Sequence, residues 1–300
     1  MRVLVTGATG FIGSAVVREL LGAGHQAVGL ARSDEAAASL TAVGAEVLRG
    51  SLHDLDGLRG GAAASDGVIH TAYIHDFSAS GDPVGAAGTD GRAIEALGEG
   101  LAGSGRPLVV AGGISLLAPG QAISEDDEIP ADHPHPRVSE RAALTFADRG
   151  VRVSAIRLPP SVHGEGDHAF VPSLIGIART KGLSAWVGDG SNRWPAVHRL
   201  DAARLFRLAL EDAPAGTRLH AIGDEGVPFR AMAEVMGRHL DVPVAALSPE
   251  EAEGHFGHPF SLFASMDVPA ASTLTQKRFG WHPGRPGLIA DLDAGHYFTE

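Results

Sequence analysis

VLVTGATGFIG, residues Val3 to Gly13, runs an apolar strand into three glycines, Gly7, Gly10 and Gly13. A helix follows whose apolar positions Ile12, Val16, Val17, Leu20 and Leu21 recur at helical spacing. Each glycine has its own task. Gly7 permits the sharp turn out of the strand, Gly10 carries no Cβ that would hold a pyrophosphate away, and Gly13 lets helix and sheet close on each other. The unpaired N–H groups and positive dipole end of the helix then face an anion. A glycine triplet alone is a weak signal, but between strand and helix it predicts a dinucleotide site rather than a glycine-rich turn with no ligand.

The rest of the first half keeps the same rhythm. Residues 26–31 read as a strand, 35–43 as a helix, 46–48 as a strand, 67–72 as a strand, 83–103 as a helix and 107–111 as a strand. A proline-, glycine- and acid-rich loop over 119–136 precedes a helix over 138–149 and a sixth strand over 151–158. This alternation predicts an α/β fold, a Rossmann doubly wound parallel sheet with ligands outside the carboxyl ends of its strands. Beyond Pro159-Pro160 it breaks down: 170–179 reads as a helix, 185–187 as a strand, 200–211 as a strong helix, and short elements mix from Val227 onward. The expected division is a Rossmann domain of residues 1–160 plus about 196–224, with about 161–195 and 225–300 as a smaller mixed C-terminal substrate lid.

Composition narrows the function. At 300 residues with 44% hydrophobic content the chain can bury a sizeable core. A formal net charge of −12, with no run of Lys or Arg, argues against nucleic acid as a partner. Having no cysteine excludes disulfides, thiolate nucleophiles and Cys-based zinc sites. No apolar run approaches the roughly 18 residues that span a bilayer, and a lone Arg2 before the first strand is no targeting signal, so the expectation is a cytoplasmic protein without a membrane partner. His133 and His135 in DHPHP have no third ligand at helical or strand spacing, and no metal is expected.

The end of the second strand chooses between the two nicotinamide cofactors. It reads Leu30-Ala31-Arg32-Ser33, and Arg32 offers a fork of donors suited to a ribose 2′-phosphate, with Ser33 beside it. NADP(H) is therefore preferred. Asp34, one residue further, keeps NAD(H) open because a carboxylate there accepts from a 2′-hydroxyl.

TGATGFIG, with GVIHTA at 67–72, RLPPSVHGEGD at 157–167, WPAVHRLDAARL at 194–205 and FGWHP at 279–283, resembles the short-chain dehydrogenase/reductase superfamily, in its extended, NAD-dependent epimerase/dehydratase type. The resemblance covers nearly the whole chain. It implies that Gly7, Thr9, Gly10, Phe11, Ile12 and Gly13 hold the pyrophosphate and that Arg32 and Ser33 approach the adenosine ribose. It places Ser51 and Leu52 near adenine, where the family has an Asp before an apolar residue. Thr71, Ala72 and Tyr73 would line the cleft after the fourth strand, and Leu158, Pro159, Ser161 and Val162 would lie near nicotinamide. Dimers are common in that family, which raises a homodimer as an option, although no residue here specifies one.

The catalytic residues depart from the family. Its members pair a Tyr with a Lys four residues later, the lysine lowering the phenol pKa for proton transfer. Here the tyrosines are Tyr73, followed by Phe77, and Tyr297, and the lysines are Lys181 and Lys277. Aligning on Glu140 and Arg157 puts the usual pair at Asp132 and Pro136, or one turn later at Pro136 and Glu140. The chain thus resembles the atypical members. The family serine falls at Gly113, with Ser115 two residues on; Ser115 could polarise a carbonyl or simply bond nearby backbone. Tyr73, His75 and His163 lie on the functional side of the sheet as candidate proton donors, against the plainer reading of each as a loop or structural residue. Trp186, Arg193 and Trp194 are candidates for a part-apolar, part-cationic substrate pocket, or for lid core.

Three functions follow from these residues. The first is an NAD(P)H-dependent oxidoreductase delivering hydride to a small carbonyl, imine or activated alkene with non-standard proton donation. The second is a non-catalytic NADP-binding sensor, which the missing tyrosine and lysine favour. A sugar-nucleotide-type epimerase or dehydratase is third, since its oxidation step needs the same tyrosine.

Overall fold

The computed structural model describes residues 1–75, 81–114, 121–130 and 137–299. Ser115, Asp132, His133, His135 and Pro136 lie outside the described residues. In the first part β1 (Arg2–Thr6), α1 (Phe11–Gly22), β2 (Gln26–Ala31), α2 (Asp34–Ala42), β3 (Glu46–Arg49), α3 (Leu55–Ala63), β4 (Gly67–His70), α4 (Pro83–Leu101), β5 (Pro107–Gly113), α5 (Ser139–Leu144) and β6 (Arg152–Leu158) follow one another. Next come β7 (Ser161–His163), α6 (Phe170–Lys181), β8 (Ser184–Val187), β9 (Arg193–His198), α7 (Arg199–Asp212), β10 (Thr217–His220) and β11 (Asp224–Pro228). The remainder is α8 (Phe229–Leu240), β12 (Val244–Leu247), α9 (Pro249–Phe256), α10 (Phe260–Ser265), α11 (Thr273–Phe279) and α12 (Leu288–Asp293).

Seven strands form one parallel sheet in the order β10-β6-β5-β4-β1-β2-β3. Its central strands are apolar on both faces because both are covered. Val3 and Val5 of β1 enter the core shared with α1 and α7, while Leu4 between them enters the core shared with α3, α4 and α5. Val109 and Ala111 of β5 divide from Leu108 and Val110 in the same way. Because β1 is flanked by β2 on one side and β4 on the other, the chain reverses direction across the sheet there. A cleft opens above the carboxyl ends of β1 and β4.

Beyond β6 the chain builds a three-stranded sheet, β11-β9-β7, and a parallel pair, β12-β8. A separate apolar core gathers Val171, Leu174, Trp186, Trp194, Phe229 and Met232 there. The sheet has one strand more than the six expected. Thr217-Arg218-Leu219-His220 carries a single apolar residue, so it lacks the apolar run that marks a buried strand, yet it pairs in parallel with Ser154–Arg157. The helix expected over 138–149 ends at Leu144 and gives way to a 3₁₀ turn closed by Gly150 at φ 71°. Helix α3 went unpredicted because LDGLRGGAA is rich in glycine; the Asp54 carboxylate caps it, 3.0 Å from Gly57 N.

Candidate functional site

At the β1–α1 turn Gly7 sits at φ +68°, and a Cβ there would lie 2.7 Å from the backbone nitrogen of Ala72. A Cβ at Gly13 would stand 2.0 Å from the Gly7 carbonyl oxygen. The turn is closed by Gly10 N donating to Gly7 O at 2.9 Å. Gly10 then caps α1 in extended conformation without a side-chain hydrogen bond, leaving the first-turn N–H groups available to a ligand. Thr9 and Gly10 are exposed and Ile12 half-buried. Phe11 lies under the Arg199 guanidinium, 4.9 Å from the ring centroid, and edge-on to His168 at 5.9 Å. Backbone drawn this close, with open N–H groups and a nearby cation, fits a pyrophosphate.

The strand ends around the turn supply the rest of the cleft. Arg32 is exposed at the end of β2 and pairs with no described residue. The Ser33 hydroxyl accepts from Ala36 N at 3.1 Å as the cap of α2, and the Asp34 carboxylate is taken by Arg49. Ser51 Oγ accepts from His53 N at 3.2 Å, while Leu52 packs behind it against the α3–α4 core. Thr71 donates its hydroxyl to Thr6 O at 2.8 Å, and Thr71, Ala72 and Tyr73 are half-buried beside the glycine turn. On the far side Leu158 accepts from Ile114 N at 2.9 Å, Pro159 and Ser161 are buried, and Val162 packs on the core.

A buried polar chain that was not expected runs beneath this cleft. Thr6 Oγ1 is 2.7 Å from His70 Nδ1, and His70 Nε2 is 3.0 Å from Asp90 Oδ1. Ser139 donates to Asp90 Oδ2 at 2.6 Å, and Arg137 Nε donates to Ser139 Oγ at 3.1 Å. With Nε2–H given to the carboxylate, the Thr6 hydroxyl donates to Nδ1, and the partners themselves fix the tautomer. Arg137 also donates to Ala111 O at 3.0 Å, and its guanidinium carbon lies 4.3 Å from the centroid of the Tyr73 ring. The Tyr73 hydroxyl makes no hydrogen bond to a described residue.

These surroundings set the protonation states. Burial pushes the Tyr73 phenol above its ordinary value, Arg137 opposes that, and Asp90 adds to it. His75 leans on Tyr73 with ring centroids 4.9 Å apart. Desolvation, then Arg137 and His168, pull its pKa down to about 4, and the solvent contact it retains leaves that direction unchanged, towards a neutral ring at neutral pH. His168 packs edge-on to Phe11 on the glycine turn and acts on His75 only through its charge.

The remaining predicted residues lie elsewhere. His163 is fully buried, with Nδ1 2.8 Å from Asp291 Oδ2 of α12 and its ring 5.4 Å from that of His198; it shares no partner with Tyr73. Trp194 is fully buried, donates its indole N–H to Phe263 O at 3.1 Å and packs edge-on to Phe170 and Phe229. Trp186 is buried below Arg230. Both tryptophans are core residues of the C-terminal part, not walls of the cleft. Arg193 is clasped by Asp267 through bonds of 3.0 and 2.9 Å.

Glu140, at the position where one register puts the family lysine, is structural. Arg157 grips both its oxygens at 2.8 Å, and Arg218 adds a third bond at 2.8 Å. Burial pushes this carboxyl up, but the hydrogen bonds and charges of Arg157 and Arg218 outweigh it and leave the group below the usual range. Glu140→Gln leaves the buried Arg157 without its carboxylate, while Arg218 keeps Glu128 at 3.3 Å, and is expected to cost about 3–5 kcal/mol in urea unfolding at neutral pH. A depressed folded-state pKa stabilises above the unfolded value and is lost below it, so the gap between variant and wild type narrows as pH falls below about 4.5.

The sequence profile of the NAD dependent epimerase/dehydratase family matches residues 3–222. The chain is 51% identical over 300 residues to the uncharacterized protein C2A9.02 of Schizosaccharomyces pombe, covering 99% of this chain and 100% of that one. It is 31% identical over 250 residues to the 2-alkyl-3-oxoalkanoate reductase of Stenotrophomonas maltophilia, covering 77% and 73% of the two chains. Among solved structures, MoeE5 in complex with UDP-glucose and NAD superposes with a TM-score of 0.76 at 25% identity over 99% of this chain and 97% of that one. With its parallel seven-stranded Rossmann sheet and glycine turn, the chain belongs to the NAD dependent epimerase/dehydratase family, within the short-chain dehydrogenases/reductases.

Proposed function

We propose that the protein is an NADP(H)-preferring reductase of a small carbonyl, imine or activated alkene, with Tyr73 as the proton donor. The observation that carries this reading is the Tyr73 phenol at the cleft beside the glycine turn, its ring under the Arg137 guanidinium at 4.3 Å. When bound, a reduced nicotinamide supplies the hydride to the electrophilic carbon. Gly7, Gly10, Gly13 and the open start of α1 hold the pyrophosphate, and Arg32, with no partner among the described residues, meets the ribose phosphate. Asp34, the acid that would favour NAD(H), is already engaged by Arg49. Tyr73 gives its hydroxyl proton to the substrate oxygen or nitrogen as that atom gains the electron pair, and solvent restores the proton. The relative named for 2-alkyl-3-oxoalkanoate reduction supports the carbonyl member of this set. Residues 1–160 and about 196–224 form the dinucleotide half in this reading, and the rest of the chain covers the substrate.

The test is to titrate NADPH and NADH into wild type and Arg32→Ala by fluorescence. Losing the 2′-phosphate contact is expected to weaken NADPH by about 10- to 100-fold and NADH by less than about threefold. Wild type that prefers NADH, with Arg32→Ala unchanged, overturns the cofactor assignment. Mixing NADPH with aldehydes, ketones, quinones and imines and following the nicotinamide absorbance then tests the reaction. Tight binding without turnover across the panel turns the reading towards a sensor.

A further inference from the structure

Arg137 was not among the residues expected at the site, yet it is fixed from several directions. Nε donates to Ser139 Oγ at 3.1 Å and Nη2 to Ala111 O at 3.0 Å. Ser139 is itself committed to Asp90 at 2.6 Å, Asp90 to His70 at 3.0 Å, and His70 to Thr6 at 2.7 Å. Thr6, His70, Asp90 and Ser139 are each at most 1% exposed, so the chain cannot relax into water. Thr6 is the last residue of β1, immediately before Gly7, and its carbonyl holds the Thr71 hydroxyl at 2.8 Å. The guanidinium is thereby registered against the strand that carries the glycine turn. Its outer face meets the Tyr73 ring.

We propose that Arg137 is the positioning residue for Tyr73, a planar cation stacked on the phenol ring that takes the electrostatic place of the missing lysine. The inference rests on the reading of Tyr73 as proton donor. A guanidinium over an aromatic face is attracted by the ring's negative quadrupole. Losing the phenolic proton spreads further negative charge into the ring, so the attraction grows as the proton leaves. A lysine four residues after a tyrosine reaches the hydroxyl end; Arg137 reaches the face, from a different element. Among the described residues, the charged and titratable groups around Tyr73 are Arg137 just before α5, Asp90 from α4, and His75 on its own loop. Among these Arg137 is the permanent cation, and Asp90 is held off by its bonds to Ser139 and His70.

The chain contains two tyrosines, which makes the test direct. Full-length protein labelled with tyrosine ¹³C at ζ gives two signals, and the one missing from Tyr73→Phe is Tyr73. Titration from about pH 8 to about pH 12, with circular dichroism monitoring the fold, reads its ionisation. In Arg137→Gln the Tyr73 curve is expected to move up by at least about half a pH unit, with the Tyr297 signal unmoved. Arg137→Lys keeps the charge without the planar face and is expected to move it up by a smaller amount. A Tyr73 curve unchanged in folded Arg137→Gln overturns the proposal. If that variant does not fold, an unchanged curve in Arg137→Lys overturns it instead. Turnover in Tyr73→Phe is a separate readout: full activity there removes Tyr73 as proton donor, whatever the titration shows.

Discussion

Gly13→Ala is expected to weaken binding of NADPH by about 100-fold or more, equivalent to about 2.7 kcal/mol. The added Cβ would lie 2.0 Å from the Gly7 carbonyl oxygen and 2.7 Å from the Gly7 carbonyl carbon. Both are backbone atoms that cannot rotate away, so either α1 retreats from the turn or the turn opens. Val16, Val17 and Leu20 bury the helix against the sheet, so the fold survives with an overpacking cost of about 1–3 kcal/mol. Gly22→Ala, at the far end of α1, meets nothing within 4 Å and serves as the control with unchanged affinity. Titration calorimetry of the two variants with NADPH makes the comparison. Retained affinity in a folded Gly13→Ala would place the nucleotide away from this turn.

Tyr73→Phe is expected to lower turnover by about 10²–10⁴-fold while leaving NADPH affinity within about twofold. The variant keeps the ring under Arg137 and removes the hydroxyl alone. Its counterpart in wild type is the pH profile of reduction. A general acid works in its protonated form, and burial holds the Tyr73 phenol above its ordinary value, so the rate stays level through neutral pH and falls only as the phenol titrates in alkali. His75, at about 4, is already neutral at pH 7 and gives no break there. A loss of rate centred near pH 6.5 would assign the proton to another histidine.

The glycine turn, the first six strands and the cleft they create were legible because each rests on a local pattern: an apolar run, a glycine where backbone must approach backbone, a strand-to-helix spacing. Strand β10 was not, because its place is set by pairing with β6 and its sequence carries one apolar side chain. The same distinction divides the site. Tyr73 follows a strand on the cleft side, and that alone marked it. Arg137, Asp90 and Ser139 become a unit only when α4 and the start of α5 meet above β4 and β5, across separations of 47 and 49 residues in sequence (137 − 90 for Arg137 and Asp90). One signal was present in the strand GVIH, where His70 interrupts a buried apolar run and so demands a buried partner. For Trp186 and Trp194 the sequence left two readings, pocket or lid core, because large aromatics near a cleft are as useful to a second core, and there they pack.

The direct measurement of the central claim is transfer of the label itself. NADPH carrying deuterium on C4, in turn on each face, is incubated with the protein and the carbonyl that oxidises it in the absorbance screen, and the alcohol is examined by mass spectrometry. The account predicts deuterium on the carbinol carbon from one face only, with transfer slowed in Tyr73→Phe by the same factor as turnover. NADPH that binds in the glycine turn and passes no deuterium to any of the carbonyl, imine or alkene substrates would contradict it.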